Sequence, residues 1–238
     1  MEEESRSRAG VPIQDFAQAT NLLLDHGITL IEWGDQILVQ HGYPAVIHSY
    51  KYLIKDSEIA QAASLIETQT AFQRVPPSPG ARAFGVIGIS GYHFVSKNDH
   101  PRWPTRLHLL PESLVHLSST GNDTEPAASR FDSSRQFLRP KLPQDCASLV
   151  KCMEEFPKYS GSWMAATLPL WSLIVAAIYK EPDPGRKIWE PEELTESEEQ
   201  FRVRQAEAVK FVEGWEFDEE DEPYRRKLIK ILMNEPLD

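Results

Sequence analysis

The stretch "HGYPAVIHSYKYLIKDSEIAQAASLI", residues 41–66, places a turn, a strand and a helix in immediate succession. Glycine and proline open it as a turn. The run PAVIHSYKYLI that follows mixes β-branched and aromatic residues and predicts a strand. Asp56 is predicted to cap the next helix, whose apolar residues recur at helical spacing. The stretch therefore predicts a sheet with helices packed on it.

The elements around this stretch continue the same alternation. Gly27 is predicted to end a first helix that begins near Ile13. A short strand ending at Gly34 and a two-turn helix with Asp35 as its N-cap come next. Further on, "GVIGISG" predicts a strand with a glycine bulge rather than a phosphate loop, since no Lys-Ser/Thr follows. "RLHLLP" predicts a last strand, and "RVPPSPGARA" predicts a loop between elements.

These elements divide the chain into four regions. We predict a disordered N-terminus over 1–12, an α/β unit over 13–117, a polar surface loop over 118–142, and a helical region over 143–238. The predicted fold class is α+β, a mixed sheet with helices followed by a helical C-terminal part.

Composition and charge narrow the class of protein. Of 238 residues 41% are hydrophobic, and the N-terminus MEEESRSRAG is charged and lacks the apolar segment of a signal peptide. Two cysteines, Cys146 and Cys152, are too few for a disulfide framework or a cysteine zinc site. These features predict a cytoplasmic protein. The run WMAATLPLWSLIVAAIY, residues 163–179, is interrupted by Pro169 and is predicted to be a buried core helix, not a membrane span.

The net charge of −11 is concentrated in the C-terminal quarter, where residues 181–238 hold 18 acids and 9 bases. This excess opposes general nucleic-acid binding, although it leaves tRNA open as a partner. The acidic run EFDEEDEP, residues 216–223, is either a solvated turn or a docking surface for a basic protein.

With these elements in place, the stretch at 41–66 resembles the nucleotidyltransferase superfamily, which has the polymerase-β-like fold. Within it the likeness is to the nucleotidyltransferase-like proteins of filamentous fungi and bacterial abortive-infection systems. Gly34–Asp35 matches the family's first glycine turn, and residues 41–44 match its second. In the family a strand then carries Asp-x-Asp, and a later strand supplies a third carboxylate. Here Ser49, Lys51 and His108 occupy those three positions.

The substitution of these carboxylates changes the expected chemistry. Two aspartates at i and i+2 point the same way from a strand, so both can reach one Mg²⁺ through hard oxygen ligands. Ser49 and Lys51 keep that shared direction but supply a hydroxyl and a cation. Lys51 would repel Mg²⁺, so we expect no metal cofactor and no ordinary two-metal nucleotidyl transfer. A weaker alternative is that Glu32 and Asp35 hold one cation.

Two interpretations of this site remain open. In a refitted site, Ser49 would be the nucleophile or a hydrogen-bond donor, and Lys51 and His108 would hold a phosphate or carboxylate. In a decayed site, the protein is a pseudoenzyme and these are ordinary strand residues, with His108 bonded to a backbone carbonyl. His48 and Tyr50 are expected on the opposite face of the strand. The residues predicted to contact a ligand are Trp33, Gly34, Asp35, His48 and Tyr50.

The sequence thus predicts a nucleotidyltransferase-like protein that binds a nucleotide-like or aminoacyl ligand, or that performs altered transfer chemistry in the same cleft. One alternative is a non-catalytic interaction protein that uses its acidic C-terminal helices. Another is an aminoacyl-tRNA-dependent cyclodipeptide synthase of fungal secondary metabolism, although the chain lacks the Asp-x-x-Glu motif associated with those enzymes.

Overall fold

A seven-stranded mixed sheet forms the centre of the computed structural model, which describes residues 13–100, 102, 104–180 and 196–236. The strands are β1 Ile31–Trp33, β2 Ser49–Ile54, β3 Phe72–Val75, β4 Tyr92–Ser96, β5 Arg106–Pro111, β6 Thr124–Ala128 and β7 Gln136–Pro140. Their order across the sheet is β3-β4-β5-β2-β1-β7-β6. The β2–β5 and β1–β7 pairs are parallel, and the other pairs are antiparallel.

Helices cover both faces of this sheet. They are α1 Ile13–Asp25, α2 Asp35–Gln40, α3 Ile59–Gln69, α4 Pro79–Ala83, α5 Gly85–Ile89, α6 Leu142–Glu155, α7 Gly161–Leu173, α8 Glu198–Glu213 and α9 Glu222–Leu232. A 3₁₀ turn follows β5 and a π-helical turn extends α7. The chain is therefore a mixed α+β protein with a helical C-terminal part, as predicted. The predicted disorder of residues 1–12 lies outside the described residues.

One face of the sheet is closed by α1 and α3. Phe16 and Leu23 from α1 and Ile66 from α3 are buried against it, in a cluster that includes Tyr52 and Ile54 of β2. Alternation along β2 explains the pattern, because residues two apart point to the same side of a strand. This surface is called the closed face below.

The other face carries the C-terminal helices and is called the open face below. Leu53 of β2 belongs to a buried cluster with Leu149 of α6, Leu170 of α7 and Val212 of α8. The helices after residue 142 therefore supply the apolar layer on this side of the sheet. The stretch Gly161–Ile178 is long and apolar enough to cross a membrane, and 44% of it is buried. A core helix satisfies the same criterion.

The predicted surface loop at 118–142 is wrong over two segments. β6 and β7 form an antiparallel hairpin, and β7 pairs with β1. The buried side chain of Phe137 anchors it to the closed face. The predominantly polar composition of residues 118–142 predicted a loop, but Phe137 and Leu138 of β7 pack against the two buried clusters.

A second correction concerns the glycine-rich segment before β4. "GVIGI" forms helix α5 rather than a strand, and α4 lies within the predicted loop before it. At Gly88 a Cβ atom would lie 1.8 Å from the carbonyl oxygen of Ala81, so glycine allows the two short helices to touch. Gly88 thus marks a close helix contact and not a β-bulge, and β4 begins only at Tyr92.

The two predicted aspartate caps are also wrong. Gly34 is the residue preceding α2, and Asp35 is already helical. Glu58 precedes α3, while the Asp56 carboxylate accepts hydrogen bonds from the backbone and hydroxyl of Ser113. Asp56 therefore joins β2 to the turn after β5. The strand predicted from residue 44 begins at Ser49.

Candidate functional site

A cavity of about 880 Å³ lies on the open face, where the sheet meets α2, α4, α5 and α7. Its floor consists of side chains from β1, β2, β4 and β5, and its roof is largely apolar. The parallel pairing of β2 with β5 aligns the floor, because Ser49 lies opposite Arg106 and Lys51 lies opposite His108.

Seven of the eight predicted site residues line this cavity. They are Trp33, Gly34, Asp35, His48, Ser49, Lys51 and His108. Tyr50 instead faces the closed side, where its ring lies 4.9 Å from Phe16 and 4.8 Å from Phe131. His48 precedes β2 and lines the cavity, so its predicted place on the opposite face is wrong.

Lys51 is held across the glycine turn that precedes α2. A Cβ atom at Gly34 would lie 3.0 Å from the lysine Cδ and 3.2 Å from its Nζ, and Gly34 has a φ of +78°. The ammonium group lies 5.6 Å from the centroid of the Trp33 ring, within cation–π range. Among the described residues, no carboxylate forms an ion pair with Lys51, so its charge is directed to the cavity.

Gln36 fixes the backbone at Lys51. Its side chain donates to the Lys51 carbonyl at 2.6 Å and accepts from the Lys51 amide at 3.1 Å. Strand β1 ends at Trp33, opposite Lys51, and the amide of buried Gln36 takes over the pairing that a longer strand would provide. This contact was not predicted, because nothing in the sequence distinguishes Gln36 from the other polar residues of α2.

The two histidines of the floor are stacked on each other. The ring centroids of His93 and His108 are 3.8 Å apart, and His108 Nε2 donates to the Ser90 carbonyl at 2.7 Å. Burial, together with His93, lowers the pKa of His108 to about 3. Burial and the charge of Arg106 lower the pKa of His93 to about 4. Both rings are therefore neutral at pH 7 and contribute shape rather than charge.

The hydrogen bond between His108 and Ser90 affects whether His108 can activate Ser49, the predicted nucleophile. The Nε2 atom that donates to Ser90 cannot accept the proton of Ser49, and the lowered pKa of about 3 makes the remaining Nδ1 atom a weak base. The geometry agrees with the interpretation in which a backbone carbonyl satisfies His108.

Charge in the cavity is predominantly positive. Lys51, Arg102 and Arg106 line it, and Asp35 is the one carboxylate among the described lining residues. Arg106 donates to the Pro76 carbonyl at 3.2 Å, and burial lowers the pKa of its guanidinium. Arg106 was not predicted, although its i−2 relation to His108 on β5 places it on the same side of the strand. Basic side chains therefore outnumber acidic ones among the described lining residues.

The alternative cation site at Glu32 and Asp35 does not form. Glu32 points to the closed face, where it pairs with Arg130 at 3.3 Å and accepts from Gln40 at 2.5 Å. Within the described residues no group of three or more His, Cys, Asp or Glu side chains is arranged to hold a metal.

Comparisons of the chain with protein-family models, with curated proteins and with solved structures found no match.

Proposed function

We propose that the protein binds a nucleotide-like or aminoacyl anion in a nucleotidyltransferase-like cleft, without a metal ion. The observation that carries this proposal is Lys51, a lysine with no carboxylate ion-pair partner among the described residues, on the cavity floor. It stands where the resembled family places a metal-binding aspartate. A fixed cation at that position replaces the charge that Mg²⁺ supplies in the family.

The surrounding contacts support a refitted site over a decayed one. Gln36 holds the Lys51 backbone through two hydrogen bonds, and Gly34 leaves room for the lysine side chain. Arg106 lies on the adjacent strand, opposite Ser49, and offers a planar guanidinium suited to phosphate or carboxylate oxygens. Two cations that have no ion-paired carboxylate within the described part of the chain attract an anion in a partly buried cavity.

Ligand-dependent thermal stability tests this proposal. Nucleotides and aminoacyl adenylate analogues would be titrated in EDTA and again with Mg²⁺ or Mn²⁺. A ligand at about a hundredfold its Kd stabilises the folded state by about 2.7 kcal/mol. We expect the melting temperature to rise by roughly 5–10 °C in EDTA, since about 1 kcal/mol corresponds to about 2–4 °C in a protein of this size.

Lys51→Met is the decisive variant, with Lys97→Met as its matched control because Lys97 is exposed and lies outside the cavity. Loss of a charged hydrogen bond of about 1.5–3 kcal/mol should weaken affinity by roughly tenfold to a hundredfold in Lys51→Met alone. Stabilisation that requires metal, or that survives Lys51→Met, would contradict the proposal.

A second candidate is a docking surface for a basic protein, and one observation favours it. Glu216, Asp218, Glu219 and Glu220 are exposed, while Asp221 is buried and pairs with Lys151 at 2.5 Å. Neutralising the four exposed acids to amides should release a basic partner in pull-down experiments and leave the ligand-dependent melting shift unchanged. Retention of the partner by this variant would count against the docking surface.

A further inference from the structure

The open side of the cavity is rimmed by apolar side chains. Val46, Phe84 and Leu168 line the cavity and are 71%, 36% and 48% exposed, respectively. They come from three separate elements: the loop before β2, the junction of α4 with α5, and helix α7. Exposed hydrocarbon at the mouth of a cavity is unfavourable in water and marks a surface that a ligand covers.

The floor has the opposite character. Lys51 and Arg106 are half-buried there, and Ser49 lies beside them on β2. The charges of Lys51 and Arg106 therefore lie deeper than the hydrocarbon of the rim, and among the described lining residues Arg102 is the exposed cation. A sugar or a chain of phosphates at the rim would face Val46, Phe84 and Leu168, whose side chains offer no hydrogen bond.

We propose that the anion bound here is amphipathic, with a phosphate or carboxylate head on Lys51 and Arg106 and a hydrocarbon tail against Val46, Phe84 and Leu168. This inference rests on the proposed function, since it uses the same anion site. Within that proposal it favours aminoacyl-type anions with one phosphate or carboxylate head group and an apolar tail, for which alkyl phosphates serve as simple probes. Charge complementarity fixes the orientation, because the reverse would place an anion against hydrocarbon and a tail against two cations.

A homologous series of alkyl phosphates tests the tail. Inorganic phosphate, ethyl, butyl, hexyl and octyl phosphate share one head group and would be titrated below their micelle concentrations by calorimetry. Burial of each methylene should tighten binding by about fourfold, the factor that corresponds to about 0.8 kcal/mol per buried CH₂. Equal affinity across the series would overturn the amphipathic ligand and leave the anion site standing.

Two sets of variants distinguish binding of the ligand's head group from binding of its hydrocarbon tail. Val46→Ser with Leu168→Ser should flatten the dependence on chain length and keep the affinity for inorganic phosphate. Val203→Ser, at a 52% exposed position on α8, is the matched control and should keep the full dependence. Lys51→Met should weaken binding of every member of the series equally. Alkyl phosphates that bind Lys51→Met as tightly as the wild type would overturn the anion site itself.

Vesicles test whether the head group belongs to a free amphiphile or to a lipid in a bilayer, since both have the same chemistry. A cavity of about 880 Å³ favours a single free molecule. We expect octyl phosphate to bind in solution, with no sedimentation of the protein on vesicles of mixed phosphatidylcholine and phosphatidylserine. Sedimentation on vesicles without binding of octyl phosphate would overturn the proposal.

Discussion

The two faces of strand β2 show how one short sequence serves two purposes. Tyr50 and Tyr52 point to the closed face, where aromatic rings from α1 and the hairpin fill the space between sheet and helices. Ser49 and Lys51 point to the open face, where the helices stand away from the sheet and leave a cavity. The same backbone thus supports a packed core on one side and a charged, accessible floor on the other.

The two faces differ in whether their charged side chains are paired. On the closed face even the buried carboxylate of Glu32 has partners in Arg130 and Gln40. On the open face Lys51 has an aromatic neighbour but no carboxylate partner among the described residues. A protein that only needed stability would have paired or replaced that lysine, because an uncompensated charge is costly near a core.

Removing one aromatic ring from each face should give the largest difference in the free energy of unfolding. Phe16→Ala removes a fully buried ring that contacts Tyr50, Phe72 and Phe131, and it should lower the free energy of unfolding by about 3–5 kcal/mol. Phe84→Ala, at the exposed rim of the cavity, should cost less than about 1 kcal/mol. Urea denaturation measures both, and similar losses would show that the two faces are packed alike.

A buried carboxyl on the open side should make stability depend on pH. Asp145 in α6 is buried, and burial raises its pKa from 3.8 to about 7. The folded protein therefore keeps a proton that the unfolded chain releases, so this group destabilises the fold progressively as pH rises from about 4 to about 7. Asp145→Asn removes that effect, and its stability relative to the wild type should grow across this window by on the order of 4 kcal/mol.

Chemical denaturation at several pH values measures this difference. Glu219→Gln, at an exposed position, is the control and should stay within about 0.5 kcal/mol of the wild type. A difference between Asp145→Asn and the wild type that is the same at pH 4 and pH 7 would show that the Asp145 carboxyl is not shielded from water.

The Gln36→Ala variant tests whether the side chain of Gln36 holds Lys51 in place on the cavity floor. Gln36→Ala leaves the Lys51 amide and carbonyl without their side-chain partner and should cost about 1–3 kcal/mol of stability. Gln61→Ala, at an exposed position of α3, should change little. A parallel loss of anion affinity in Gln36→Ala would show that the bond positions Lys51, whereas unchanged stability would show that water replaces it.

The smallest predicted effect is a gain of metal binding. Ser49→Asp combined with Lys51→Asp introduces two carboxylates at i and i+2 on the open face, and should bind Mn²⁺ on the order of tenfold more tightly than the wild type. Ser49→Asn with Lys51→Asn is a control of the same size without the charge. Mn²⁺ electron paramagnetic resonance measures free metal directly. Equal binding by both double variants would weaken the likeness to the nucleotidyltransferase cleft.

Strong local periodicity made part of this fold predictable. Helix α1, strand β5 and the alternation of β2 follow from residues that are neighbours in the chain. The grouping of Ser49, Lys51 and His108 was predicted from the family resemblance. In the structure the three residues meet because a strand places every second side chain on one face and β2 pairs with β5. Seven of the eight predicted site residues therefore line one cavity.

The incorrect predictions all concern segments whose structure depends on contacts with residues distant in the sequence. β7 is a short strand that pairs with β1 and β6, and the polar residues that precede it favour a loop. α5 contains valine and isoleucine, which favour a strand locally, but the close contact of Gly88 with Ala81 accompanies a helix here. Asp56 is a residue type that often caps helices, but its carboxylate accepts a hydrogen bond from the Ser113 hydroxyl instead. In each case a tertiary partner outweighed local preference.

The parallel pairing of β1 with β7 also determines the order in which this chain can fold. Ile31 pairs with Leu138, so a strand made early in synthesis completes its hydrogen bonds only after the hairpin emerges. Contacts of such separation slow the assembly of a sheet. A fragment ending at residue 117 would leave one edge of β1 unpaired and would expose Leu53 and Leu110, which the C-terminal helices cover. We expect that fragment to aggregate, although its sequence contains most of the candidate site.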